Sequence, residues 1–336
     1  MPNPDLMCRW GATPFIRAVL FLALLTSPGC APSDRPEILA LATAGTGGVY
    51  YVLGGSIAEF WSRELPEQDF VAEVTGGSVE NLSLLLAGDV QVAFSMGTNA
   101  HEVFNATGSF AGRDPAQVLA LAALYPNVLH LVTLEGTGVE SLSDLVGRRV
   151  SVGAPGSGTE VGARTLLEGN GIGYDDFQPQ RLNFNETASA LRDGNIDAGF
   201  LSAGPPTSAI MDLATARPIR LVPIGVAEVD NTSALDPTVS RDFFPPGTYP
   251  GQELEVETLS TPNLLVVRAD MSDDLVYELT RALFEVQAEL VGVHPAARHT
   301  SGDYTLEISP IPLHPGSVRY FVEAGYEVPD RLISSR

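Results

Sequence analysis

The sequence predicts an α/β protein of two lobes, each a mixed, mostly parallel sheet flanked by helices, with a cleft between them. Three observations carry this. Short apolar runs alternate with segments of helical periodicity from residue 38 onward. Glycine-rich stretches mark the passages from strand to helix. One helix–strand pattern also recurs: residues 85–94 and residues 191–200 both read as helix end, Gly, polar residue, apolar strand, Phe.

The elements follow in order. Ile38 to Thr43 is a short apolar strand leading into Ala44-Gly45-Thr46-Gly47-Gly48. Leu53, Ile57, Phe60, Trp61 and Leu65 then fall on one helical face. Phe70 to Val74 is a second strand ending in Thr75-Gly76-Gly77-Ser78, and a helix follows with Gly88 as its stop. Val90 to Phe94 is the third strand. Tyr125-Pro126-Asn127 and the run to Leu134 read as an extended crossover into the second lobe. There, Arg149 to Val152 is a strand, and Ser157 with Glu160 has capping-box spacing at the start of the next helix. Asn185-Glu186 opens another helix, and Ile196 to Phe200 is a strand. Thr258 to Val267 reads as the return strand, Leu275 to Val291 as a long helix, and Arg319 to Ala324 as the terminal helix. The expected division is lobe 1 over 38–126, lobe 2 over 127–255, and a return to lobe 1 over 256–336.

The 336 residues carry 19 basic and 41 acidic side chains, a formal charge of −22. That excess argues against nucleic-acid binding, which needs cations to displace counterions, and suits a monomer in an aqueous compartment. Every cation is arginine. Without lysine there is no Walker-type phosphate loop and no Schiff-base chemistry.

The first thirty residues have the layout of an export signal. Arg9 and Arg17 precede an apolar run, Ala18 to Leu25, too short to span a bilayer, and Thr26-Ser27-Pro28-Gly29-Cys30 follows. This resembles a bacterial lipoprotein signal, with Cys30 as the lipidated first residue of the mature chain, although Ser27 stands where leucine is usual. Simple cleavage nearby is the alternative. The expectation is a signal over 1–30, a polar tether over 31–37, and an extracytoplasmic, membrane-tethered protein. Cys8 would leave with the signal, so the mature chain would have no disulfide.

Ligands of open α/β sheets bind beyond the carboxyl ends of the strands. Four loops qualify: Gly45 to Tyr50, Thr75 to Ser78, Ser95 to Asn99, and Pro155 to Thr159. Three precede helices, whose free N–H groups attract anions. Thr46, Ser78, Ser157 and Thr159 add hydroxyl donors, Gly47 lets the backbone approach, and Tyr50 is expected to face the site. None of these loops contains arginine.

In combination, Gly45-Thr46-Gly47-Gly48-Val49-Tyr50-Tyr51, Thr75-Gly76-Gly77-Ser78-Val79-Glu80-Asn81 and Val152-Gly153-Ala154-Pro155-Gly156-Ser157-Gly158-Thr159-Glu160-Val161 resemble the TAXI family, the solute-binding components of TRAP transporters. Pro246-Gly247-Thr248-Tyr249-Pro250-Gly251 and Ile311-Pro312-Leu313-His314-Pro315-Gly316 extend the match. The resemblance implies a two-lobed, type II periplasmic-binding-protein-like fold that closes on glutamate, glutamine or a 2-oxoglutarate-like carboxylate. It implies delivery to TRAP permease subunits driven by an ion gradient, with no cofactor. It carries ligand-binding roles onto Gly48, Val49, Tyr50, Ser78, Ser157, Gly158, Thr159 and the Ala203-Gly204-Pro205 loop. After the third strand, Ser95-Met96-Gly97-Thr98 departs from the family's Gln and Asp, so Met96 and Thr98 give a less polar wall.

Two other classes remain open. A sensory domain of the same fold would report to a membrane signalling partner. An exported enzyme has weaker support: His294 and His299 stand five apart without an acidic partner at metal-motif spacing, and Pro155 spoils a nucleophile elbow around Ser157. No metal site and no catalytic residue is expected.

Overall fold

A computed structural model describes residues 36–334; the expected signal and Cys30 lie outside them. The chain runs β1 (Glu37–Ala42), α1 (Val49–Glu64), β2 (Gln68–Glu73), α2 (Ser78–Ala87), β3 (Val92–Met96) and α3 (Gly97–Asn105), then the long β4 (Val118–Leu134). It continues through β5 (Arg149–Ser151), α4 (Gly158–Gly169), β6 (Gln178–Gln180), α5 (Phe184–Arg192), β7 (Ala198–Ala203), α6 (Ser208–Ala216), β8 (Ile219–Leu221), α7 (Val226–Ser233) and β9 (Ser240–Phe244). The long β10 (Val256–Arg268) leads to α8 (Asp273–Glu285), α9 (Gln287–Val293), α10 (Gly302–Ile308) and α11 (Pro315–Glu323).

One ten-stranded sheet joins these strands in the order β2-β1-β3-β10-β4-β7-β5-β6, with β8 and β9 paired to β4 and β10. The pairs β1–β2, β1–β3, β5–β6 and β5–β7 are parallel, as βα alternation requires. The long strands run antiparallel to each other and to their flanking neighbours. With 17 and 13 residues, β4 and β10 serve both halves of the sheet. Pro126 stands opposite Pro262 where they cross from one half to the other. Neither residue can donate to the ladder, and register shifts follow between Pro262 and Leu264 and between Leu265 and Val266, so the ladder is interrupted there.

Alternation along the strands divides the core into four apolar clusters. Leu39 and Leu41 pack with α1 and α8 on one face, while Ala40 and Ala42 pack with α2, α3 and α11 on the other. In the second half, Leu129 and Leu131 meet α4, while Val128 and Val132 meet α5 and α6. Each half is therefore covered on both faces, and all of β4 except Pro126 is buried. The expected late helix divides at Val286 into α8 and α9, yet Val276, Leu279, Leu283, Val286 and Leu290 are all buried. Asn183, not Asn185, caps α5, because its side chain and Glu186 form a reciprocal capping box.

Candidate ligand-binding cleft

A cavity of about 340 Å³ lies between the two halves, beyond the ends of β1, β3, β5 and β7. Helix starts from both halves border it. Gly48 caps α1 with no side chain, and Val49 and Tyr50 at that helix start line the wall. A Cβ at Gly48 would come within 3.2 Å of the Phe184 ring, so a larger residue would push that ring back by a few tenths of an ångström. From the other half, Gly158 and Thr159 bring the start of α4 to the same cavity. A Cβ on Gly158 would lie 2.6 Å from both Asn99 Oδ1 and Met96 Sδ and 2.8 Å from Ser78 Oγ, so these side-chain ends must shift to admit one.

The start of α2 is occupied differently. The amides of Val79 and Glu80 both donate to Gly156 O at 3.0 Å, so a carbonyl of the opposite half fills this helix end. Ser78 still contributes: its Oγ accepts from Met96 N–H at 3.1 Å, leaving its own proton for another acceptor. The Ser157 hydroxyl is committed, accepting from Glu160 N–H at 3.2 Å and donating to Ala154 O at 2.7 Å. Both its bonding directions are thus used in capping α4. The Glu160 carboxylate pairs with Arg164 and does not close a capping box.

Tyr50 stacks on Phe94 with ring centroids 4.7 Å apart. Its hydroxyl is buried with no partner within hydrogen-bonding distance, and burial raises its pKa, an effect that the nearby Ser78 hydroxyl only partly offsets. Asn127 Oδ1, also on the wall, is likewise buried and unpartnered. Asn81 fixes the first-half loops by donating to Thr43 O at 2.7 Å and Phe94 O at 2.9 Å.

Of the residues singled out in the sequence, Gly47, Gly48, Val49, Tyr50, Ser78, Met96, Ser157, Gly158, Thr159 and Ala203 line the cavity. Five others lie off its wall. Thr46 Oγ1 accepts from Asn185 across the halves at 3.1 Å. Ser95 turns to the opposite face of β3 and donates to Met96 O at 3.0 Å. Thr98 donates to Asp236 Oδ2 at 2.6 Å, a buried contact between the halves. Gly204 is packed against Tyr125 and Ala296, with Pro205 following it. Asn127, Asn183, Phe184, Glu186 and Ser202 line the cavity without having been singled out. The Asn-x-x-Glu capping spacing at 183–186 was the available signal for two of them.

The lining holds no arginine or histidine, and its one carboxylate, Glu186, accepts from Asn183 N–H at 2.9 Å. Met96, Val49, Val74, Phe184 and Pro155 make the rest largely apolar. Among the described residues, no group of three or more His, Cys, Asp or Glu is placed to hold a metal ion. His294 accepts from Ala296 N–H at 3.2 Å and caps a short turn. No described helix is long and apolar enough to cross a membrane.

A model described as the NMT1-like family matches residues 41–325. Among solved structures, a binding protein of an ABC phosphonate transporter from Pseudomonas aeruginosa is similar at 13% identity and TM-score 0.52, over 78% of this chain and 79% of that one. PhnD1 from Prochlorococcus marinus, in complex with methylphosphonate, gives 12%, 0.52, 78% and 92%. The alkanesulfonate-binding protein SsuA from Xanthomonas axonopodis pv. citri, bound to MOPS, gives 14%, 0.51, 90% and 97%. At such identities the likeness is one of fold, and that fold is the periplasmic-binding-protein type. These findings correct the assignment to the TAXI family and TRAP transport: the matched model is the NMT1-like one, and the neighbour described with its transporter belongs to an ABC system. The physical reason is that the glycine-rich motifs are strand-to-helix turns, which this fold needs whatever its transporter.

Proposed function

Because the chain belongs to the NMT1-like family and has the fold of periplasmic solute-binding proteins, we propose that it captures a small, singly charged organic anion, a carboxylate or a sulfonate. Capture takes place outside the cytoplasm, and the solute passes to a membrane permease. One observation carries the reading: the starts of α1 and α4, from opposite halves, meet at one cavity whose lining has no cationic side chain. Backbone amides, the helix ends and Ser78 can offset one negative charge in such a site. A dianion would meet the Glu186 carboxylate and the chain's overall charge of −22 without a counter-ion. The apolar walls fit a short hydrocarbon body.

The four-cluster core supports lobes of 38–126 with 256–336, and 127–255, hinged at the facing prolines. Cys30 is proposed as the lipidated anchor. The ABC type named for the Pseudomonas aeruginosa neighbour is the transporter class this reading adopts.

The test is a thermal-shift screen of small carboxylates, sulfonates, phosphonates, amino acids and sugars, since a specific ligand stabilises by mass action. A saturable rise in melting temperature with carboxylates or sulfonates is expected. A rise confined to phosphonates or sugars would refute the reading.

A further inference from the structure

Where β4 and β10 cross, polar side chains without protein partners lie at the cavity wall and directly behind it. Tyr50 OH, Tyr125 OH, Asn127 Oδ1, Thr261 Oγ1 and both amide atoms of Asn263 are buried without a protein partner. Each of these residues is more than nine-tenths buried.

They share one face of the sheet. Thr261 stands directly opposite Asn127, and Asn263 directly opposite Met96. Opposed residues of an antiparallel pair point to the same side, as do residues two apart on one strand, which adds Tyr125. Tyr50, Met96 and Asn127 line the cavity, so this is the cavity's face. Thr261 and Asn263 lie on the strand between Met96 and Asn127.

The row is uncharged. Burial raises the Tyr125 pKa, and its further influences are the phenols of Tyr50 and Tyr304, with no carboxylate or guanidinium among them. Buried polar groups without partners destabilise a fold unless something polar meets them. Water alone could satisfy such a row, but Tyr50 and Asn127 bring one end of it to the wall of the cavity.

We propose that this row is a second, neutral polar subsite of the same cleft: the bound anion carries an uncharged hydroxyl or carboxamide that meets Tyr50 and Asn127, with ordered water linking it to Tyr125, Thr261 and Asn263. This deepens the anion-binding reading and rests on it. Hydroxyls and amides both give and accept hydrogen bonds, as the row does. An ammonium or a second carboxylate would be buried there without a countercharge.

The test is calorimetry on the wild-type chain with a matched four-carbon series: butyrate, γ-hydroxybutyrate, succinamate, γ-aminobutyrate and succinate, with the propanesulfonate analogues in parallel. The hydroxyl or carboxamide member should bind about tenfold tighter than the plain acid, and the ammonium and dicarboxylate members should bind more weakly than either. A plain, ammonium or dicarboxylate member that binds as tightly as the neutral polar ones would overturn the subsite while leaving anion binding intact. No binding by any member overturns both. In Thr261→Val, of nearly the same shape, the tenfold advantage should shrink, butyrate affinity should hold, and the unliganded melting temperature should hold or rise. An equal loss for every ligand would make Thr261 merely structural and overturn the proposal.

Discussion

The carbonyl oxygen of Gly156 accepts a hydrogen bond from the amide of Val79 at 3.0 Å, joining the loop before α4 to the start of α2 across the cleft. One helix end is thereby closed by the protein itself, and the proposed anion site narrows to α1 and α4. Gly156 holds φ of 75°, and a Cβ there would come within 3.3 Å of Glu80 Cβ.

Gly156→Ala should therefore strain the bridge between the halves by about 1–2 kcal/mol. Ligand should leave faster, because a strained bridge holds the two halves together less firmly over the cleft. Stopped-flow or surface plasmon measurements would check this; an unchanged dissociation rate would speak against the bridge.

Gly158→Ala is expected to weaken ligand binding, because the side-chain ends of Asn99, Met96 and Ser78, at 2.6–2.8 Å, must shift to admit the new methyl. The circular dichroism spectrum should stay native, since Ala is a better helix former than Gly. Retained affinity in a folded variant would remove the start of α4 from the site.

Thr98→Val leaves shape intact but takes a donor from the buried Asp236 carboxylate, whose other oxygen accepts from the Thr238 amide at 2.9 Å and the Thr238 hydroxyl at 2.8 Å. Loss of a hydrogen bond to a charged group costs about 1.5–3 kcal/mol. Thr98 touches no cavity wall, so a loss of affinity in calorimetry would report closure rather than contact. Undiminished affinity would mean the halves do not separate there.

His130 is fully buried, with Nε2 2.7 Å from Tyr249 OH, and burial lowers its pKa to about 4. His130 Nδ1 lies 3.0 Å from Val128 O and 3.2 Å from Leu201 O, so Nδ1–H donates to these carbonyls and, in the neutral ring, Nε2 accepts from the Tyr249 hydroxyl, whose oxygen accepts from Thr207 N–H at 2.9 Å. The unfolded chain binds this proton near pH 6.5 and the folded chain only near pH 4, so the contribution is complete above about 6.5 and falls with acidification through that window. The slope is at most about 1.4 kcal/mol per pH unit for one proton. His294 and His299 shift in the same direction. Urea titrations at neutral pH and near pH 5 should show this loss, smaller in His130→Gln; an equal loss in the variant would assign the sensitivity elsewhere.

Much of the first half was legible in the sequence because β1, α1, β2 and α2 have clean periodicities and glycine stops. The early part of β4 was not: Val118 to Leu124 is a run of Val, Leu and Ala buried on both faces, with no alternation to distinguish strand from helix. The continuous sheet through β4 and β10 was hidden for the same reason. In the site, the glycine loops announced themselves, but Asn127 and Phe184 did not. Their place on the wall depends on the crossing of β4 and on the angle of α5, which are long-range consequences of packing. Ser95 and Thr98 sat in the right loop, yet strand alternation turns one away and the start of α3 sends the other to Asp236.

A crystal structure of the chain with the tightest-binding small acid from the screen tests the central claim most directly. The acid's charged group should lie within about 3 Å of backbone nitrogens at the starts of both α1 and α4. A charged group held instead by arginine side chains, or bound by only one half, would contradict the account.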